Sequence, residues 1–168
     1  MVALRYFNVY GPGQSPRNAY VGMLITFLPR LTVGKPIVVY EDGQTRRDFV
    51  HVRDVVAATI AATEHDGAVG QVINVGSGQA VTVEQTANEL LRITESDRPS
   101  ERISAGRVGD VRHAVADCRR ARDLIGHEPQ VALDQGLKEL ADWFRRQQVS
   151  MDRSDQAFSE LQQHNLMR

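Results

Sequence analysis

The chain is poor in cysteine and lysine. Cys118 is the only cysteine among 168 residues, which excludes an internal disulfide and a zinc site built from several thiolates. Lys35 and Lys138 are the only lysines, so arginine supplies nearly all of the 20 basic residues, which stand against 21 acidic ones. Because general nucleic-acid binders carry a basic surplus and this chain has a net charge of −1, we expect no nucleic-acid partner.

Long apolar runs are also absent. No segment approaches the roughly 20 apolar residues that a helix needs to span a bilayer, so we expect no membrane partner. Arg5 interrupts the N-terminal segment where a signal peptide would need an apolar core, which favours a cytoplasmic protein. The five histidines show no metal-ligand spacing, and no metal site is predicted. The remaining composition, 42% hydrophobic and 24% charged, is that of an ordinary globular domain.

Helical and extended patterns alternate along the chain, which predicts an α/β fold. Residues 2–9 are rich in β-branched and aromatic types and predict one strand, and residues 71–75 predict a second central strand. Asp54 has the position of a helix N-cap. Thr82, with Gln85 three residues later, has the pattern of a capping box at the start of another helix.

The predicted strands are too few to form a complete sheet. Two central strands do not make a sheet that can be buried on both faces, so the pattern predicts that most of the sheet is missing. An amphipathic helix is predicted over residues 133–144. Residues 147–168 are polar and predict a frayed helix or a tail. We therefore expect two parts, a folded portion over 1–146 and a polar C-terminal tail over 147–168.

Four stretches of the sequence together resemble one family. They are LRYFNVYGPGQ at 4–14, GKPIVVYEDGQTRRDFVHV at 34–52, NVGSG at 74–78, and the RVGD, AD and LIG segments within 107–126. Their combination is similar to the C-terminal half of the extended short-chain dehydrogenases/reductases, the NAD-dependent nucleotide-sugar epimerases and dehydratases that include UDP-glucose 4-epimerase. The resemblance covers about residues 2–146. It implies the last strands of a Rossmann-type sheet and the small substrate-binding domain, with the N-terminal Rossmann part absent.

The resemblance also implies a site for a nucleotide-diphosphate sugar. The implied substrate-binding residues are Asn8 at the sugar-diphosphate end, Val38 and Tyr40 beside the base, Arg47 and Arg107 on the diphosphate, and Asp110 on the ribose hydroxyls. Planar guanidinium groups suit a diphosphate because they bind its oxygens in a bidentate fashion. The resemblance further implies that Tyr6, Phe7 and Pro12 lie against the nicotinamide of NAD.

The same residue types also fit plainer interpretations. Arg47 fits a surface charge cluster, Arg107 and Asp110 fit a loop ion pair, and Asn8 fits a turn. The tyrosines at positions 6 and 40 fit core or rim aromatics. One position departs from the family pattern, because Glu41 stands where relatives usually have glycine. If that position has a positive φ, Glu41 would cost about 1 kcal/mol or more, and the change leaves the nucleotide preference open.

Two elements of the family's chemistry are missing from the sequence. No Gly-x-x-Gly-x-x-Gly loop is present to hold the NAD pyrophosphate, and no tyrosine is followed four residues later by a lysine. We therefore expect a catalytically incomplete chain without catalytic residues, which does not bind NAD firmly alone. The alternatives are a non-catalytic nucleotide-sugar binding module or a truncated gene product. Because the central strands would lack neighbours, we expect a separate N-terminal chain as partner, or self-association.

Overall fold

A computed structural model of the chain describes residues 1–15, 22–147, 152 and 154–167. Strands and helices alternate within this part, which confirms the α/β class. The strands are β1 (Ala3–Tyr6), β2 (Asn8–Tyr10), β3 (Val38–Tyr40), β4 (Arg46–Arg47), β5 (Phe49–His51), β6 (Val72–Val75), β7 (Val81–Thr82), β8 (Glu101–Ile103) and β9 (His113–Ala114). The helices are α1 (Met23–Thr32), α2 (Val52–Glu64), α3 (Val83–Ile93), α4 (Arg119–Ile125), α5 (Leu133–Arg146) and α6 (Ser154–Gln163), with a short 3₁₀ turn at Asp66–Ala68. No helix in the described ranges is long and apolar enough to cross a membrane.

The N-terminal segment changes its sheet neighbour in the middle. β1 pairs in parallel with β6, and β2 pairs in parallel with β5. The exchange occurs at Phe7, whose N–H donates to Val75 O at 3.0 Å, and at Asn8, whose N–H donates to Asp48 O at 3.0 Å. The prediction of one strand over residues 2–9 is therefore wrong, because hydrophobic pattern does not show which neighbour a strand takes.

Two further strand groups lie beside this pair. β3 pairs in parallel with β8, so that Val38 faces Glu101 and Tyr40 faces Ile103 in the register. β4 lies between β7, with which it is antiparallel, and β9, with which it is parallel. These short strands carry three of the six residues that the sequence proposes for substrate binding: Val38, Tyr40 and Arg47.

The apolar core has two parts. The larger one packs α1, α3 and α5 around β3 and β5, and the smaller one packs α2 and α4 on β1, β5 and β6. The amphipathic helix predicted over 133–144 is confirmed and extends to Arg146, with Leu137, Leu140 and Phe144 buried. Since each such side chain contributes roughly 1.5–3 kcal/mol on burial, α5 is a main source of stability for the larger part.

The two predicted helix starts have different outcomes. The capping box is confirmed, because Gln85 N–H donates to Thr82 Oγ1 at 3.0 Å while Thr82 N–H donates to Gln85 Oε1 at 2.9 Å. The N-cap predicted at Asp54 is wrong, since α2 begins at Val52 and its N-cap is His51.

Asp54 instead joins α2 to the segment that precedes α5. Its buried carboxylate accepts hydrogen bonds from Gln130 N–H at 3.0 Å and Val131 N–H at 3.1 Å. An aspartate suits both roles, because a carboxylate accepts backbone N–H groups from any segment that reaches it. The sequence pattern could not distinguish a cap from this distant contact.

Asp48 is a fully buried carboxylate between β4 and β5. It accepts hydrogen bonds from Ser77 N–H at 2.7 Å, Ser77 Oγ–H at 2.6 Å, Gly78 N–H at 2.9 Å and Ala116 N–H at 3.0 Å. Gly76 is needed beside it, because a Cβ there would lie 2.7 Å from Asp48 Oδ2. The Gly76-Ser77-Gly78 loop is therefore built around this carboxylate.

Replacing Asp48 tests this arrangement. In Asp48→Asn one oxygen becomes an NH₂ group that faces backbone N–H donors, so buried donors lose their acceptor. We expect the free energy of unfolding to fall by about 3 kcal/mol or more. Urea denaturation measures the change, and Asp97→Asn, at an exposed loop position, is the matched control. Equal stability of the two variants would contradict the proposed role of Asp48.

Candidate functional site

A cavity of about 380 Å³ lies between β3, β4, α1 and α6. Its walls come from segments that are distant in sequence. All six residues that the resemblance assigns to substrate binding line this cavity: Asn8, Val38, Tyr40, Arg47, Arg107 and Asp110. The fold therefore brings together residues that belong to separate sequence motifs.

One end of the cavity is apolar and aromatic. Val38 and Tyr40 alternate with the buried Val39 along β3, so both face the cavity, and Ile103 joins them from the paired strand β8. Tyr40 is half-buried, and this burial raises the pKa of its phenol, against the opposing effect of the Arg107 and Arg30 charges. The phenol is therefore neutral at physiological pH and offers a flat ring.

Another part of the cavity carries an ion pair. Arg47 Nη2 donates to Asp110 Oδ1 at 2.6 Å, and Arg47 Nη1 donates to Arg46 O at 2.9 Å. The Arg47 side chain is 15% exposed, whereas that of Asp110 is 49% exposed. Asp110 therefore pairs with Arg47, which lies 63 residues away in the sequence, and not with Arg107 in its own loop. The guanidinium is held in place from two sides and still lines the cavity.

Arg107 reaches the cavity from the loop after β8 and is exposed. Its backbone forms an antiparallel bridge with Met167, and the neighbouring Val108 N–H donates to Leu166 O at 2.9 Å. Its charge is close enough to Tyr40 to oppose the rise of the phenol pKa. Arg107 thus adds a second guanidinium near the aromatic end of the cavity.

Asn8 enters the cavity from the first residue of β2 and is exposed. It stands opposite Phe49 in the register of the β2–β5 pair. Because residues 8 to 10 form a strand, the interpretation of Asn8 as a turn residue is wrong. The strand holds its side chain at the cavity wall, next to the point where the chain changes neighbours.

The three residues predicted to contact NAD lie elsewhere. Tyr6, Phe7 and Pro12 do not line the cavity. Tyr6 is 47% exposed at the end of β1, and its hydroxyl is 2.9 Å from Thr59 Oγ1 on α2. Phe7 and Pro12 are half-buried. The structure therefore separates the residues predicted to contact NAD from those predicted to bind substrate.

Glu41 lies at the cavity with a backbone that few residues adopt. Its φ is +53°, which is the left-handed region that favours glycine. Its N–H donates to Ile103 O at 2.8 Å, so the turn after β3 is tied to β8. The side chain covers Gly106, where a Cβ would overlap the Glu41 carboxylate. The strain expected for Glu41 from the sequence is therefore present, and a carboxylate lies near the aromatic end.

Sequence reasoning missed two parts of the cavity wall. Arg30, on α1, is 8% exposed, donates from Nε to Pro36 O at 2.7 Å and lines the cavity. Helix α6 supplies Asp155 and Phe158, within the segment for which the sequence predicts a frayed helix or a tail. The helical period of α1 gave no sign that one of its arginines would be buried.

The residue types in the cavity suit binding more than bond-breaking chemistry. It combines guanidinium groups for an anion with an aromatic and aliphatic surface for a flat apolar group. In the described ranges, no group of three histidine, cysteine or acidic side chains could hold a metal ion. Cys118 lies outside the cavity, and burial raises the pKa of its thiol, which makes it a poor nucleophile.

Both a family model and curated relatives match this chain. Residues 1–76 match the NAD dependent epimerase/dehydratase family. The chain is 36% identical over 144 residues to dTDP-L-rhamnose 4-epimerase of Burkholderia thailandensis, a match that covers 86% of this chain and 39% of the relative.

Solved structures agree with this match. The crystal structure of Thermotoga maritima UDP-glucose 4-epimerase with UDP-glucose has a TM-score of 0.79 and 38% identity, over 86% of this chain and 45% of that one. Bacillus cereus UDP-glucuronic acid 4-epimerase, in complex with UDP-glucuronic acid and NAD, has a TM-score of 0.77 and 28% identity, over 87% of this chain and 45% of that one.

The chain spans less than half the length of these relatives. The sequence motifs, the family match and the structural likeness nevertheless agree with one another. The chain belongs to the NAD dependent epimerase/dehydratase family.

Proposed function

We propose that this chain binds a nucleotide-diphosphate sugar in the cavity, as the substrate-binding portion of a UDP-glucose 4-epimerase-like enzyme. The observation that carries the proposal is the convergence of the six motif residues on one cavity of about 380 Å³. Four separate segments of the chain supply them: 8, 38–40, 47 and 107–110. Two of the solved relatives are described with a UDP-sugar bound.

The diphosphate would lie between Arg47 and Arg107. In the ligand-free chain, Asp110 neutralises Arg47 across 2.6 Å. A diphosphate carries about two negative charges and competes for the same guanidinium, because charge-assisted hydrogen bonds to phosphate are short and bidentate. Asp110 would then turn to the ribose hydroxyls, which are donors that suit a carboxylate acceptor.

The base would lie against β3 and β8. Val38, Tyr40 and Ile103 form the apolar surface of the cavity there, and a flat heterocycle gains burial and stacking on such a surface. Asn8 would then be at the sugar-diphosphate end, because it lies on β2, outside the β3–β8 pair. The charge of Glu41 near the base is the feature that distinguishes this site from the family pattern.

NAD would supply hydride transfer in the intact enzyme. This chain offers it an exposed aromatic ring on Tyr6 and the half-buried Phe7 and Pro12, which fit a contact with a nicotinamide ring. It has no glycine-rich loop whose N–H groups could hold the pyrophosphate of NAD. The role of these residues would be to orient the cofactor ring, and firm binding of NAD would need other segments. If the chain binds a UDP-sugar without NAD, a non-catalytic binding module becomes the alternative.

We propose that the segments needed for firm binding of NAD pair with the open edge of β1. Among the described residues, β1 is hydrogen-bonded to one neighbour, β6. Tyr6 at its end contacts α2, whose Val56 and Ile60 are 51% and 52% exposed. An unpaired strand edge beside exposed apolar side chains favours pairing with another strand. We propose that this edge of β1 pairs with the part of the relatives that this chain does not span. A second copy of the chain would take that place in the isolated protein.

Removing Arg47 tests the proposed function. Calorimetric titration of the full chain with UDP-glucose should show binding, and Arg47→Ala should weaken it at least about tenfold, because hydrogen bonds to the diphosphate are lost. The control is Arg119→Ala, which removes a solvent-exposed guanidinium on α4, outside the cavity. Equal affinity of Arg47→Ala and the unchanged chain would contradict the proposal, as would no binding by the unchanged chain.

Charging the exposed face of α2 tests the open edge. We expect the isolated chain to self-associate in sedimentation velocity at tens of micromolar, and Ile60→Lys to reduce the association, because a lysine there opposes burial of the face. Arg120→Lys, on α4 and without a change of charge, is the control. If the unchanged chain is a stable, well-folded monomer, the edge of β1 does not need a further strand, which would contradict the proposal.

A further inference from the structure

Helix α6 closes one side of the cavity. Four of its residues line it: Ser154, Asp155, Phe158 and Leu161. The helix lies beyond residue 146, where the sequence resemblance to the family ends. The contribution of α6 is therefore a feature of this chain that the family motifs do not account for.

Phe158 is placed on the aromatic end of the cavity. Its ring stacks on Tyr40 with a centroid separation of 6.0 Å and an interplanar angle of 16°. Tyr40 is one of the residues proposed to lie beside the base, and Val38 and Ile103 line the same end. The aromatic surface offered to a ligand is therefore built by β3 and α6 together.

Ion pairs hold the start of α6 on α1. Asp155 lies 2.6 Å from Arg30 Nη1 and 2.7 Å from Lys35 Nζ, and Asp152 lies 3.3 Å from Lys35 Nζ and 3.6 Å from Arg30 Nη1. The two cations lower the pKa of the Asp155 carboxyl through hydrogen bonds. Since Arg30 is nearly buried, this end of the helix has a fixed partner inside the fold.

The chain after α6 is held by the loop that follows β8. Leu166 O accepts a hydrogen bond from Val108 N–H at 2.9 Å, and Met167 forms a bridge with Arg107. Arg107 is one of the two arginines proposed to hold the diphosphate. The C-terminal segment therefore reaches from α1 to the phosphate-binding loop and lies across the cavity between them.

We propose that α6 is part of the nucleotide site and that Phe158 contacts the base. This inference rests on the proposed function, because it names a further residue of the same site. An aromatic ring stabilises any base by stacking on its π-face, so Phe158 would strengthen nucleotide binding without selecting one base. A ligand that lacks a base would gain nothing from it.

The test uses two ligands, UDP and inorganic pyrophosphate, which share the diphosphate and differ in the nucleoside. Calorimetric titrations of the full chain and of Phe158→Ala measure both affinities. We expect Phe158→Ala to bind UDP about tenfold more weakly, by the loss of stacking, and to bind pyrophosphate as the unchanged chain does. Phe158→Trp should retain UDP affinity. Gln163→Ala, exposed on the same helix and outside the cavity, is the matched control.

Each other outcome overturns the inference in a different way. Unchanged UDP affinity in Phe158→Ala shows that the ring does not contact the base, and tighter binding shows that α6 obstructs the site. An equal loss for UDP and pyrophosphate shows that Phe158 acts only on the structure of the cavity. If the unchanged chain binds neither ligand, the proposed function itself fails.

Discussion

The buried carboxylate of Asp48 is the constraint on which the cavity depends. Burying a carboxylate is costly unless hydrogen-bond donors surround it. Asp48 is buried and accepts four hydrogen bonds from two separate segments of the chain. Because Asp48 lies between Arg47 and Phe49, fixing it also fixes its neighbours. Arg47 is left to line the cavity, while Phe49 packs into the larger core. One satisfied charge thus connects the sheet, the Gly76-Ser77-Gly78 loop and the site.

The cavity divides its chemistry between two surfaces. Short parallel strands present Val38, Tyr40 and Ile103, and loops and β4 present guanidinium groups. The ion pair between Arg47 and Asp110 keeps the first guanidinium in position before a ligand arrives. An ordered guanidinium loses less side-chain freedom when an anion binds, but the proposed diphosphate must displace Asp110 from Arg47. The displaced carboxylate would then be an acceptor for hydroxyl groups next to the proposed anion site. This arrangement fits a molecule that is flat at one end and doubly charged in the middle.

The sequence predicted which residues share one cavity better than it predicted the strands and helices around them. The six residues proposed for substrate binding could be named because each belongs to a motif of the family that the chain resembles. Local spacing predicts Asp54 as a helix N-cap, because it cannot show that the backbone N–H groups of Gln130 and Val131 donate to its carboxylate. The sequence pattern also could not predict that the N-terminal segment forms two strands, β1 and β2. This division depends on the strands that lie beside them, β6 and β5. A helix within residues 147–168 was one of two predicted alternatives, but its place at the cavity could not be predicted, because its contacts with Arg30 and Tyr40 join segments more than 100 residues apart.

We propose that this chain alone builds a site for a nucleotide-diphosphate sugar. A crystal structure of the full chain grown with UDP-glucose tests it most directly. We expect the diphosphate between Arg47 and Arg107, the uracil on the surface of β3 and β8, and Asp110 turned away from Arg47. A structure with the ligand outside this cavity, or with the cavity empty at saturating UDP-glucose, would contradict it.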